Sequence, residues 1–199
     1  MTKRIILIHG KPGLGKTTLA RSVAEALRQK GISAEHFSIG ERLRSVSSNA
    51  INSKYSRQLA AEQSVLYRHA HVTDPTIIHG VVGEYLQSVE SDLVVMDGHP
   101  RYMVTSEGYE QAINSYGWAT LCAFLISGSD DLARGRMLSR DRRDHGFTED
   151  TAWRLADYKE TMEPVLQWLT KHYDTVSIDA ADELEQKTSK ACKHILSLL

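Results

Sequence analysis

The segment HGKPGLGKTT, residues 9–18, places three glycines within six positions and follows them with a lysine and two threonines. A bare turn needs one glycine or two. Three at this spacing let successive backbone N–H groups point inward at an anion, with nothing projecting from the chain to keep it away. Gly10 to Thr17 satisfies GxxxxGK[ST], the P-loop pattern. In that pattern the lysine reaches terminal phosphates and the hydroxyl that follows meets Mg²⁺. The expected ligand is therefore the phosphate chain of a nucleotide, held by Gly10, Gly13, Gly15, Lys16, Thr17 and Thr18. A helix starting here would aim its unpaired donors and positive dipole end at the same phosphates.

A metal on those phosphates needs a carboxylate. The apolar run DLVVMD, residues 92–97, ends in Asp97, so Thr17 and Asp97 are the expected metal set, Asp97 acting through water. Arginines mark three further segments: FSIGERLR (37–44), DGHPR (97–101) and RMLSRDRRD (136–144), the last followed by TEDTAWRLADYKETMEPV (148–165).

In this order, and over nearly the whole chain, the segments resemble the adenylate kinase family of nucleoside monophosphate kinases. That family shows GxPGxGK, a segment like STGDLLR, then DGFPR, paired arginines around a lid, and a late R-L-x-x-Y…EPV. The resemblance implies that Arg44 and Arg101 grip the phosphate of an acceptor, with Ser38 and Gly40 in the same acceptor segment. It implies that the donor is ATP and that Arg136 packs on its adenine. Arg140, Arg142 and Arg154 would join Lys16 in neutralising the phosphoryl group in flight, and Asp144 would hold arginines in place. Catalysis of this kind is positioning and electrostatics, with no covalent nucleophile or dedicated base.

Three departures concern the acceptor. Ile39 stands where the family has a threonine, Thr105 where it has a glutamine, and His99 where it has a phenylalanine. The first two family residues touch the adenine of AMP, and losing paired polar groups removes base discrimination. A phosphate-bearing acceptor remains the expectation; AMP is the acceptor these changes disfavour. One residue separates Arg140 from Arg142, so the lid is minimal and water access is expected.

The elements that position these residues are short apolar runs: 4–9, 34–39, 92–97, 120–127 and 175–179. They are continuous rather than alternating, as strands covered on both faces are. Leu19, Val23, Ala26 and Leu27 form one helical stripe, with Gly31 placed as its stop. Further helical stretches are expected at about 56–70, 76–90, 130–140, 149–171 and 182–198. Strands alternating with helices predict an α/β fold: a three-layer P-loop domain with a five-stranded parallel sheet. The core is expected over 1–39, 91–139 and 148–199, a helical acceptor-binding insertion over about 40–90, and a short lid over about 140–147.

Composition narrows the partners. With 199 residues, 41% hydrophobic and 25% charged, and a formal net charge of −1, the chain suits one domain and gives no global attraction to nucleic acid or membrane. No partner stripe of basic and aromatic residues accompanies the arginine-rich run 136–144. Cys122 and Cys192 lie far apart, which fits reduced thiols and a cytoplasmic location. His69, His71 and His79 lack metal spacing. Trp118, Trp153 and Trp168 are expected to pack rather than stack on bases. The expected protein is a monomeric phosphotransferase acting on a small phosphorylated acceptor. The alternatives are a P-loop kinase for a hydroxyl of a metabolite or antibiotic, and a non-catalytic nucleotide-binding module.

Overall fold

The computed structural model describes residues 3–61, 74–139 and 148–199. Its strands coincide with the apolar runs: β1 Lys3–Gly10, β2 Ala34–Ser38, β3 Leu93–Asp97, β4 Trp118–Ser127 and β5 Thr175–Asp179. They form one sheet in the order β2-β3-β1-β4-β5, and every pairing is parallel. The described helices are α1 Lys16–Gln29, α2 Ile39–Ser47, α3 Ser56–Ala61, α4 Pro75–Ser88, α5 Met103–Glu107, α6 Tyr109–Ser115, α7 Asp130–Leu138, α8 Thr148–His172 and α9 Leu184–Leu198.

Alternation along the central strands sends side chains to two separate cores. Ile5, Leu7, Val94 and Met96 face one cluster, shared with Leu43, Val81, Tyr109 and Val165 from α2, α4, α6 and α8. Ile6, Ile8, Leu93 and Val95 face the other, shared with Leu19, Val23 and Ile195 from α1 and α9. A sheet with apolar residues on both faces has to be covered twice, and the three layers follow from that.

Local chemistry sets the ends of the helices. Gly31 takes φ +79 after α1, and its N–H bonds to the Arg28 carbonyl, closing the helix as the sequence suggests. Asp74 caps α4 through the Thr76 N–H, with Pro75 in the first turn. The expected strand 34–39 is one residue shorter, because Ile39 opens α2. Its β-branched side chain suggests strand, yet Ser38 is the last extended residue, and the Ser38 hydroxyl is drawn across to Asp97 rather than capping α2. Helices α5 and α6 were not expected; each is too short for a legible 3.6-residue period. Of the expected stretch 56–70, the part after Ala61 lies outside the described residues.

The phosphate loop is fastened to this frame by a side chain. Leu14, inside the glycine motif, is only 1% exposed and packs in the same cluster as Ile126 and Ala133. Leu14→Ala would leave a cavity beneath the loop and is expected to destabilise the fold by about 3 kcal/mol. Urea unfolding checks this, and nucleotide titration of the variant should show weaker binding, because the loop has lost its anchor.

Candidate active site

The carboxyl ends of β1, β2 and β3 meet at one cavity, and side chains from distant parts of the sequence converge there. β1 contributes Gly10, and the loop after it contributes Gly13, Lys16 and Thr17. Ser38, Gly40 and Arg44 come from the β2–α2 junction, Asp97 and Arg101 from the end of β3, and Arg154 from α8. In an open parallel sheet this is where ligands bind, in the crevice outside the carboxyl ends where successive crossovers part. Of the expected site residues, Thr18, Gly15 and Arg136 lie round the other side of the glycine loop. There they line a second cavity with Lys187 and Asp182, and Gly13 borders both cavities. Arg140, Arg142 and Asp144, with the whole expected lid, lie outside the described residues, as do His69 and His71.

The glycines answer to space as much as to backbone angle. A Cβ on Gly13 would stand 2.4 Å from the Ala133 carbonyl oxygen of α7, and the residue holds φ +84. The loop therefore lies flush on α7. Lys16 folds over it, its Nζ donating to the carbonyl oxygens of Gly10 (2.7 Å) and Lys11 (3.0 Å). On α2, Arg44 reaches back one helical turn, its Nη1 at ordinary van der Waals distance (3.4 Å) from where a Cβ on Gly40 would stand.

Asp97 is buried at 4% exposure and both its carboxylate oxygens are engaged. Oδ2 lies 2.7 Å from His36 Nε2, and Oδ1 accepts from the Ser38 hydroxyl at 3.1 Å. These partners fix the carboxylate's plane while leaving lone pairs on each oxygen. With the hydroxyl of Thr17 on the same cavity, the set is hard oxygen, the chemistry that suits Mg²⁺. Among the described residues there is no cluster of three or more histidine, cysteine or acidic side chains that could hold a metal by itself. A metal here would share its coordination with phosphate and water.

Three further residues of this region escaped the sequence reading. Asp157, on α8, sets its Oδ2 3.8 Å from Arg101 Nη2 and is 8% exposed. The signal for it was an acid one helical turn beyond Arg154. His36 lies two residues before Ser38 on β2, where period two gives both the same face, so it too was within reach. His9 lines the cavity at 1% exposure and precedes a motif that draws all attention to its glycines.

Thr105 has a different duty from the glutamine it replaces. Its hydroxyl donates to the Tyr102 carbonyl (2.8 Å) and accepts from the N–H groups of Tyr102 (3.1 Å) and Arg101 (3.3 Å). It caps α5, is 1% exposed and does not line the cavity. Ile39 does line it and offers only apolar surface. His99 is likewise 1% exposed, in edge contact with Tyr109 and His79, and its peptide bond to Pro100 is cis. Trp118 is buried with its indole N–H on the Leu86 carbonyl, and Trp168 stacks on His172. Trp153, on α8, is 36% exposed. Cys122 and Cys192 are both free and buried. No described helix is long and apolar enough to cross a membrane.

Fold and cavity together define a P-loop protein. The family described as AAA domain matches residues 9–153. Among curated proteins, the adenylate kinase of Helicobacter hepaticus is 28% identical over 141 residues, 70% of each chain. That of Prochlorococcus marinus (strain MIT 9301) is 27% identical over 194 residues, 94% of this chain and 96% of the relative. That of Nautilia profundicola is 23% identical over 186 residues, 92% of each. The chain belongs to the AAA domain family and is an adenylate kinase-like P-loop kinase, a phosphotransferase.

The histidines beside the cavity give the protein an acid signature. Burial, and then the charge of Lys16, push His9 down to about 4. Burial holds His99 well below the usual imidazole range, with His79 and His9 adding to the effect. The unfolded chain protonates His9 near 6.5, whereas the native state keeps it neutral until about 4. Stability is therefore full above about pH 6.5 and lost as pH falls toward about 4, by about 3 kcal/mol for His9. Urea midpoints measured across this range should fall with pH, and fall less steeply in His9→Leu.

Proposed function

We propose that the protein transfers the γ-phosphoryl group of ATP, with Mg²⁺, to a nucleoside monophosphate or a closely related phosphorylated small molecule. One observation carries this reading. Arg44, Arg101 and Arg154, from three separate elements, line the cavity that also holds the glycine loop, Lys16 and Asp97. An acceptor presenting its own phosphate needs such a cationic station; a water or an uncharged hydroxyl does not. The curated relatives named adenylate kinase support the same class of reaction.

In this reading the loop amides and Lys16 hold the donor's phosphates. To do so, Lys16 exchanges its bonds to the Gly10 and Lys11 carbonyls for phosphate oxygens. Thr17 and Asp97 hold the metal, Asp97 being kept in register by His36 and Ser38. When bound, a Mg²⁺ held there would supply charge neutralisation for the donor's phosphates. Arg44 and Arg101 present the acceptor, with Asp157 steadying Arg101. Arg154, joined by Arg140 and Arg142, disperses charge on the phosphoryl group as it moves. The Arg136 side of the loop receives the donor's base, its guanidinium braced on the Ala180 carbonyl at 3.0 Å. The insertion 40–90 carries the acceptor and 140–147 serves as the lid.

The acceptor's base meets Ile39 and no hydrogen-bonding side chain from Thr105, so discrimination among bases rests on shape. Incubation with ATP, Mg²⁺ and a panel of monophosphates tests the function directly. Transfer to at least one monophosphate, without marked preference for AMP, is expected; hydrolysis alone, or transfer only to unphosphorylated hydroxyls, would overturn it. Lys16→Ala should lower kcat by at least about a hundredfold with unchanged circular dichroism. Arg44→Ala should raise the acceptor's KM about tenfold or more and leave that of ATP in place. If the acceptor is gripped elsewhere, Arg44→Ala will not change its KM.

A further inference from the structure

We propose that His9 is a positioning residue: its imidazole ties the glycine loop to the loop carrying Arg101 and thereby sets the distance between the donor and acceptor phosphate stations. The inference rests on the two-station reading given above.

The ladder between β1 and β3 runs from Arg4 opposite Leu93 to Ile8 opposite Asp97. Just past it, the Gly98 N–H reaches the Ile8 carbonyl at a long 3.4 Å. The two chains then part. Gly10 turns at φ +151 into the phosphate loop, and Gly98 turns at φ +79 toward Arg101. Across this gap His9 Nε2 lies 3.2 Å from the His99 carbonyl oxygen. A carbonyl oxygen only accepts, so Nε2 carries the proton, and in the neutral ring Nδ1 is bare. Both residues are 1% exposed, and a hydrogen bond screened from water is electrostatically stronger than an exposed one.

The receiving end is itself held. The His99 ring sits edge-on to Tyr109 (5.4 Å between centroids) and His79 (5.6 Å). Its Nε2 is buried without a hydrogen-bond partner among the described residues. His79 Nε2 donates to the Thr105 carbonyl at 3.0 Å, and the Thr105 hydroxyl takes the Arg101 N–H. A continuous chain of contacts thus runs from the glycine loop through His9, His99, His79 and Thr105 to the backbone of Arg101. Each station can bind its phosphate without His9; what His9 adds is their separation, on which in-line transfer depends steeply.

His9→Leu keeps the volume and removes the donor; His9→Gln can place an amide N–H near the position of Nε2. For His9→Leu, kcat is expected to fall about tenfold, with both KM values within about twofold of the unaltered protein. His9→Gln should recover kcat to within about threefold, a rescue that packing alone would not give. A dinucleoside pentaphosphate spanning both stations should bind His9→Leu about tenfold more weakly, while ATP alone binds equally. Nitrogen NMR of the unaltered protein at neutral pH should show His9 protonated at Nε2 and bare at Nδ1. Unchanged kcat and pentaphosphate affinity in a folded His9→Leu, or a proton on Nδ1, would overturn the proposal. Absence of any transfer by the unaltered protein would strike the two-station reading instead, and the tie between the loops would then stand or fall on the tautomer.

Discussion

The glycine loop and the loop carrying Arg101 leave the sheet from adjacent strands, and the pairing of β1 with β3 holds them opposite one another. Five residue pairs in parallel register bring the start of the glycine loop level with Asp97. Because both strands are buried on both faces, a slip of register would carry Ile6 and Ile8 out of one core and Ile5 and Leu7 out of the other. The packing of two cores thus fixes the spacing at the carboxyl end of the sheet. The fold's stability and the geometry of the cavity are one constraint seen from its two ends.

The charges in the cavity are arranged to wait for an anion without repelling one another. Lys16 rests on loop carbonyls, and Asp157 lies beside Arg101. Asp97 is shared between His36 and Ser38. On the proposed function, a bound polyphosphate would replace provisional partners rather than fill a hole in an otherwise unbalanced field, so that little reorganisation would be left for the transfer step itself. His9 is the exception in kind. Burial and the charge of Lys16 keep it neutral, so it adds no second cation beside Lys16.

Much of this was legible in the sequence, for physical reasons that differ from element to element. The strands declared themselves because a sheet covered on both faces requires unbroken apolar runs. The glycine loop declared itself because few sequences tolerate Gly10, Gly13 and Gly15 at that spacing without a ligand to justify them. Arg44, Arg101 and Arg154 were named from motif order, and the topology brings them to the same cavity. Helices α5 and α6 were illegible, being shorter than the window in which a period shows. His9 was hidden for another reason. Its significance lies in what it touches across the fold, at His99, and no local pattern encodes a contact over such a separation.

The Thr105 cap has a consequence for how such an enzyme could change its acceptor over evolutionary time. With its hydroxyl committed at once to Tyr102 and Arg101, this position is bound to folding. A longer amide there would have to abandon the first turn of α5 before it could meet a nucleobase. Residue 39 carries no such obligation, because an apolar side chain at the opening of α2 can be exchanged without unmaking a hydrogen bond. On the proposed function, routes to a new base preference would therefore run through residue 39, at the opening of α2, rather than through Thr105 in the segment after Asp97.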